Sequence, residues 1–195
     1  MKNIFLFLLI FQLSQSKAQE YFWPVENGLV NPKDGKEYYT INLKGKDSVQ
    51  IYNAIIKNIT KGFTEPEKAI VAKKEFSYIK IYGMQPKSIG SGEYSYDFTY
   101  NLEIDIKNEK YRIYYSGIKL NRTASKGEKM TLHIKSGSNL YSGNGGYDKF
   151  LLNKKGKPAM GFRDEFLDLV KWTNHIAKIF DVTDSINEKK KKDDW

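Results

Sequence analysis

Two histidines are the only side chains of this sequence with an ordinary titration range near neutral pH, His133 in a Thr-Leu-His-Ile stretch and His175 in Trp-Thr-Asn-His-Ile-Ala. Either could shuttle a proton, but neither sits in a motif that would supply a nucleophile or a metal. There is no H-E-x-x-H, no G-x-S-x-G and no phosphate-binding P-loop. Ordinary surface or boundary histidines are the simpler reading. Cysteine is absent, which removes thiol nucleophiles, cysteine-ligated zinc and iron–sulfur clusters together. No catalytic residue, metal ligand or cofactor is therefore assigned. Carboxylates number 23, and hydrolysis of the glycosidase kind needs two of them brought together by the fold.

Aromatic chemistry offers a second candidate. Of the 14 tyrosines, Tyr94, Tyr96 and Tyr100 fall on one face of a long alternating segment and read as sheet core. The segment Ser136–Tyr147 is different: Ser-Gly-Ser-Asn-Leu-Tyr-Ser-Gly-Asn-Gly-Gly-Tyr carries no helix or strand pattern. Tyrosine with serine, glycine and asparagine is the composition of recognition loops, where a large rigid ring costs little entropy and small polar residues adapt. The candidate ligand-binding residues are accordingly Tyr141 and Tyr147 as stacking anchors. Lys135 and Lys149 flank them and would attract an anionic or sugar-bearing envelope polymer. The alternative is an inert surface loop whose glycines serve its turns.

The elements that must position these residues begin after an irregular lead-in, residues 19–36. A strand is expected over Glu37–Leu43. Asp47 is then placed to cap a helix with Gln50 three positions on, followed by Val49, Tyr52, Ile55, Ile56, Ile59 and Phe63 at helical spacing, ending near Gly62. Ala69–Lys73 and Tyr78–Met84 read as two strands. Strict alternation from Tyr94 to Ile106 predicts a long half-buried strand. A tight turn at Asn108-Glu109 would pair Lys107 with Lys110, Ile106 with Tyr111, Ile104 with Ile113, Leu102 with Tyr115, and Asp105 with Arg112. Residues 121–161 form a polar insertion with one possible strand at Met130–Lys135. Phe162, Phe166, Leu169, Val170, Thr173, Ile176, Ala177 and Phe180 then share the face of a closing helix. The predicted fold is α+β: a single domain over residues 37–182, with one antiparallel sheet of about five strands and two helices on one face.

The first eighteen residues carry the three parts of a secretory signal: Lys2, the apolar run Ile4–Phe11, and small residues at Ser16 and Ala18. Cleavage after Ala18 would leave Gln19 first. The apolar run is far short of the roughly 20 residues that span a bilayer, so no membrane span is expected. The chain carries a net charge of +9, of which Lys2 and Lys17 contribute two, so the exported form would carry +7. Part of that charge is the Lys189–Lys192 run in a tail over residues 183–195, expected to be solvated and disordered.

The order strand, helix, four strands, helix, with the hairpin Asn108-Glu109-Lys110-Tyr111-Arg112, resembles a family of exported Bacteroidetes proteins. That family is known as a domain of unknown function with a fold like that of the TATA-binding protein, and it usually has glycine where this chain has Glu109. The resemblance spans about Val49–Leu120 and the final helix. It implies a TBP-like sheet and brings no activity. A TBP-like fold suggests DNA binding, but the face that would meet phosphates carries Glu93, Asp97, Glu103 and Asp105, so no nucleic acid partner is expected. Two functions stay open: a non-catalytic module binding an envelope polymer or protein, and a carboxylate-dependent hydrolase acting on an envelope polymer or glycan.

Overall fold

A computed structural model describes residues 20–26, 28–92, 95–123, 129–136, 140–142 and 146–187. The signal segment, Glu93, Tyr94 and the tetralysine run lie outside the described residues. The elements are β1 (Trp23–Val25), β2 (Gly28–Val30), β3 (Tyr38–Asn42), α1 (Ser48–Gly62), α2 (Pro66–Ala69), β4 (Ile70–Lys74), β5 (Tyr78–Ile89), β6 (Tyr96–Lys107), β7 (Lys110–Thr123), β8 (Lys129–Ser136), β9 (Leu140–Ser142), β10 (Gly146–Leu152), α3 (Arg163–Ile179) and α4 (Thr183–Asn187).

The alternation from Tyr96 to Ile106 does what period two demands. Tyr96, Phe98, Tyr100, Leu102, Ile104 and Ile106 are buried, and the residues between them are half-buried. The β6–β7 hairpin has the predicted register, with Lys107 opposite Lys110, Ile104 opposite Ile113 and Leu102 opposite Tyr115. Its turn places Glu109 at φ 63°, the left-handed region that glycine occupies freely. Glutamate is held there by the loop it docks on. The Glu109 amide donates to the Lys46 carbonyl (2.7 Å), its carbonyl accepts from the Leu43 amide (2.7 Å), and its Oε1 accepts from the Gly45 amide (2.9 Å). Asn108 meanwhile accepts from the Ser48 amide (2.9 Å), so the turn also caps α1.

Helix α1 starts at the predicted capping box: Asp47 accepts from the Gln50 amide (2.8 Å) and Gln50 accepts back from the Asp47 amide (3.2 Å). Its buried stripe, Ile51, Tyr52, Ile55 and Ile59, joins Phe166, Leu169, Ile176 and Ala177 of α3 over the inner face of the sheet. Gly83 of β5 lies directly opposite Tyr100 of β6, and the Tyr100 ring fills the space where a β-carbon would sit.

The sheet is larger than the five antiparallel strands expected. Eight strands run in the order β4-β5-β6-β7-β8-β10-β9, with β3 also paired to β7, and β10 lies parallel to β8. The extra strands come from the polar insertion, where Ser136–Tyr147 was expected to carry no regular structure. Parallel pairing leaves no local signature, because the partners are joined by a crossover rather than a tight turn. Two further differences lie at the ends. The lead-in contains a β1–β2 hairpin preceded by buried Tyr21 and Phe22. The short helix α4 occupies the start of the expected tail and buries Ile186.

Candidate functional site

Both long helices cover one face of the sheet, leaving the odd-numbered residues of β6 on the other. Register aligns them into rows: Tyr78 of β5 beside Asp105 and Arg112, Lys80 beside Glu103 and Tyr114, Tyr82 beside Asn101 and Ser116, and Met84 beside Thr99 and Lys119. Tyr38 of β3 lies next to Tyr114. These residues are all half-buried or exposed.

Glu103 is the centre of the face. Its Oε2 accepts from the hydroxyls of Tyr78 (2.7 Å) and Tyr114 (3.0 Å). Its Oε1 accepts from the Ser116 hydroxyl and pairs with Lys80 Nζ at 3.1 Å. Burial alone would raise the carboxyl pKa, but the hydrogen bonds from Ser116, Tyr78, Lys80 and Tyr114 outweigh it and hold the group at about 2. The same contacts act in reverse on the phenols: burial, then the bond to Glu103, raises Tyr78, and the same pair of causes pushes Tyr114 up to about 12. Such a carboxylate is ionised at neutral pH with its lone pairs engaged. It can serve neither as a general acid nor as a free nucleophile. Beside it Arg112 Nε pairs with Asp105 at 2.9 Å, as the cross-strand register predicted, and its guanidinium lies 5.1 Å from the centre of the Tyr38 ring. A recess of about 210 Å³ opens between Tyr38, Thr40, Lys107, Lys110 and Arg112.

A larger cleft, about 820 Å³, lies on the side of α3 and contains His175, Glu20, Asp181 and Asp184. Its inner carboxylate is also engaged: Asp181 accepts from the Tyr21 hydroxyl (2.8 Å) and from the Thr183 amide (3.0 Å) and hydroxyl (2.5 Å). His175 is exposed and packs edge-on to Trp172. His133 belongs to β8 and stacks on Phe150 of β10, so the fold places the two histidines on separate elements. Among the described residues no group of three or more acids or histidines is arranged to hold a metal ion.

The four residues singled out in the sequence fall on three strands: Lys135 on β8, Tyr141 on β9, Tyr147 and Lys149 on β10. Register sets Tyr147 directly opposite Tyr141, and it sets Lys149 opposite Leu132. Their side chains lie outside the described residues. The outward tyrosines Tyr38, Tyr78, Tyr82 and Tyr114 were missed. The signal for them was present in Tyr78-Ile-Lys-Ile-Tyr-Gly-Met84, where both alternating sets are partly apolar and only one can be core.

No family model matches the sequence, and no curated protein matches it. Two solved structures do. One is a TBP-like protein from Parabacteroides distasonis, with a TM-score of 0.47 and 13% identity over 75% of this chain and 90% of that one. The other is a DUF4468 family protein from Bacteroides ovatus, with a TM-score of 0.52 and 18% identity over 74% of this chain and 84% of that one. Both sources are Bacteroidetes, the group whose exported proteins the sequence resembles. The chain is thus similar in fold to the DUF4468 family protein of Bacteroides ovatus, an α+β architecture with helices on one face of a broad sheet.

Proposed function

We propose that this protein is a non-catalytic binding module of the cell envelope, exported by the signal segment at residues 1–18. The observation that carries the reading is the state of Glu103, the most enclosed carboxylate of the outward face. Three hydroxyls and a lysine hold it ionised, which is the arrangement of a structural anion rather than of a proton donor. The hydrolase alternative needs a carboxyl group with a raised pKa, whereas the contacts of Glu103 lower its own. Among those residues no helix is long and apolar enough to cross a membrane.

In this reading Tyr141 and Tyr147, neighbours across the β9–β10 ladder, anchor an envelope polymer, and Lys135 and Lys149 draw it in. The experiment is a pull-down of the exported chain on purified envelope fractions. The Tyr141→Ala, Tyr147→Ala double variant, matched in melting temperature, is expected to lose binding. Undiminished retention would remove these residues from the site. Turnover of an envelope glycan, abolished by Glu103→Gln, would replace the module with the hydrolase.

A further inference from the structure

The outward face has a part that the Glu103 network does not use. Tyr82 and Met84, two positions apart on β5, are 45% and 54% exposed, the opposite of what a core strand requires of large apolar side chains. Among the described residues no side-chain hydrogen bond or ring contact engages the Tyr82 phenol. Directly across the ladder stands Asn101, half-buried, with a side-chain amide that makes no hydrogen bond among the described residues. A free ring beside an unengaged amide joins a stacking surface to a group that can both donate and accept.

The charges around this pair select the ligand. Lys80 neutralises Glu103 at 3.1 Å and Arg112 neutralises Asp105 at 2.9 Å, while Asp97 accepts from the Lys87 amide at 2.9 Å. In the rows from Tyr78 to Tyr82 the charges are thus matched pairwise, Glu103 to Lys80 and Asp105 to Arg112, with Lys119 one row further on beside Thr99 and Met84. An uncharged chain rich in hydroxyls is complementary to such a surface: it brings no charge that would need an unmatched partner there, and its hydroxyls can pair with the Asn101 amide. A sugar ring also offers a C–H face to an exposed tyrosine, and the recess beside Tyr38 extends the same surface towards β3.

We propose that the outward face of β5, β6 and β7 binds a neutral polysaccharide, with Tyr82 as the stacking ring and Asn101 as the hydrogen-bonding partner of adjacent hydroxyls. This rests on the reading of the protein as a binder and names the ligand chemistry of a surface separate from β9 and β10. Tyr82 is exposed, so its removal leaves the core intact.

The test is retention of the exported chain on immobilised neutral polysaccharides (starch, xyloglucan, mannan and laminarin), with alginate and heparin as polyanions, at low and high salt. Retention on at least one neutral polymer is expected, unchanged by salt because no charge pairs form with the ligand. Tyr82→Ala should weaken it about tenfold, Tyr82→Phe should restore it, and Asn101→Ala should weaken it similarly. The Tyr141→Ala, Tyr147→Ala variant should bind the neutral polymer as the parent does. The proposal is overturned by no retention on any neutral polymer, by retention on polyanions alone that salt abolishes, or by equal binding of Tyr82→Ala. A loss confined to the Tyr141→Ala, Tyr147→Ala variant would also overturn it while sparing the envelope-binding reading.

Discussion

Tyr111 donates its hydroxyl hydrogen to the carbonyl of Phe180 at 2.7 Å, and the same oxygen accepts from the Val182 amide at 3.1 Å. One phenol on a central strand thus satisfies the end of α3 and the start of the link to α4. Burial drives the Tyr111 pKa far upward, so the hydroxyl stays protonated. Tyr111→Phe leaves a buried carbonyl and a buried amide without partners, a loss of about 1–3 kcal/mol. Urea unfolding should show a lower midpoint at unchanged slope; an unchanged midpoint would mean that water replaces the hydroxyl.

The two faces of β6 should respond oppositely to truncation. Phe98 is fully buried and Thr99, its neighbour, faces outward. Phe98→Ala is expected to destabilise the fold by about 3–5 kcal/mol and Thr99→Ala by little. Thermal unfolding of the two variants measures the difference, and equal small effects would contradict the assignment of faces.

Glu103 makes stability depend on pH in a defined window. Its folded pKa of about 2 lies below the 4.5 of a free glutamate, so the carboxylate contributes stability that is fully present above the unfolded value and fades as pH falls towards 2. Glu103→Gln should be clearly less stable than the parent at pH 7, with the gap closing near pH 2. A gap that stays constant with pH would assign the loss to packing instead.

Gly83 and Tyr100 should be energetically coupled. A β-carbon at Gly83 would stand 2.2 Å from the Tyr100 ring, inside any permissible contact. Gly83→Ala is expected to cost about 1–3 kcal/mol, as overpacking does. In a Tyr100→Leu background the added methyl has room, so the penalty should shrink. Additive effects in the double-mutant cycle would show that the strand moves instead of the ring.

The parts of this structure legible in the sequence are those whose signal is local. The β6–β7 register followed from alternation meeting a two-residue turn, and the start of α1 followed from Asp47 and Gln50 alone. Tyr21 and Phe22 were illegible because Pro24 and Gly28 mark a loop, whereas their burial is set by contacts with Asn174 and Tyr115 far along the chain. Strands β8 to β10 were mostly hidden for a related reason: a glycine-rich segment pairs through its backbone, and backbone pairing is silent in side-chain patterns. The outward face was half legible. Its acids were noted as an obstacle to nucleic acid, but their pairing with Lys80 and Arg112 depends on which strand lies beside which, and for β5 the sequence left its neighbour open.

Asn174 accepts from the amides of both Tyr21 and Phe22 and donates to the Phe22 carbonyl at 2.8 Å, a clasp that bridges 153 positions of sequence. Protein synthesis runs from the N-terminus at about 5–20 residues per second, so these two aromatic residues are made about 8 to 30 seconds before Asn174. The clasp is therefore a late event, available only to a chain already translated through its last long helix. Until then the rings can meet Tyr39 and Tyr115, but the two backbone amides lack the acceptor that fixes them.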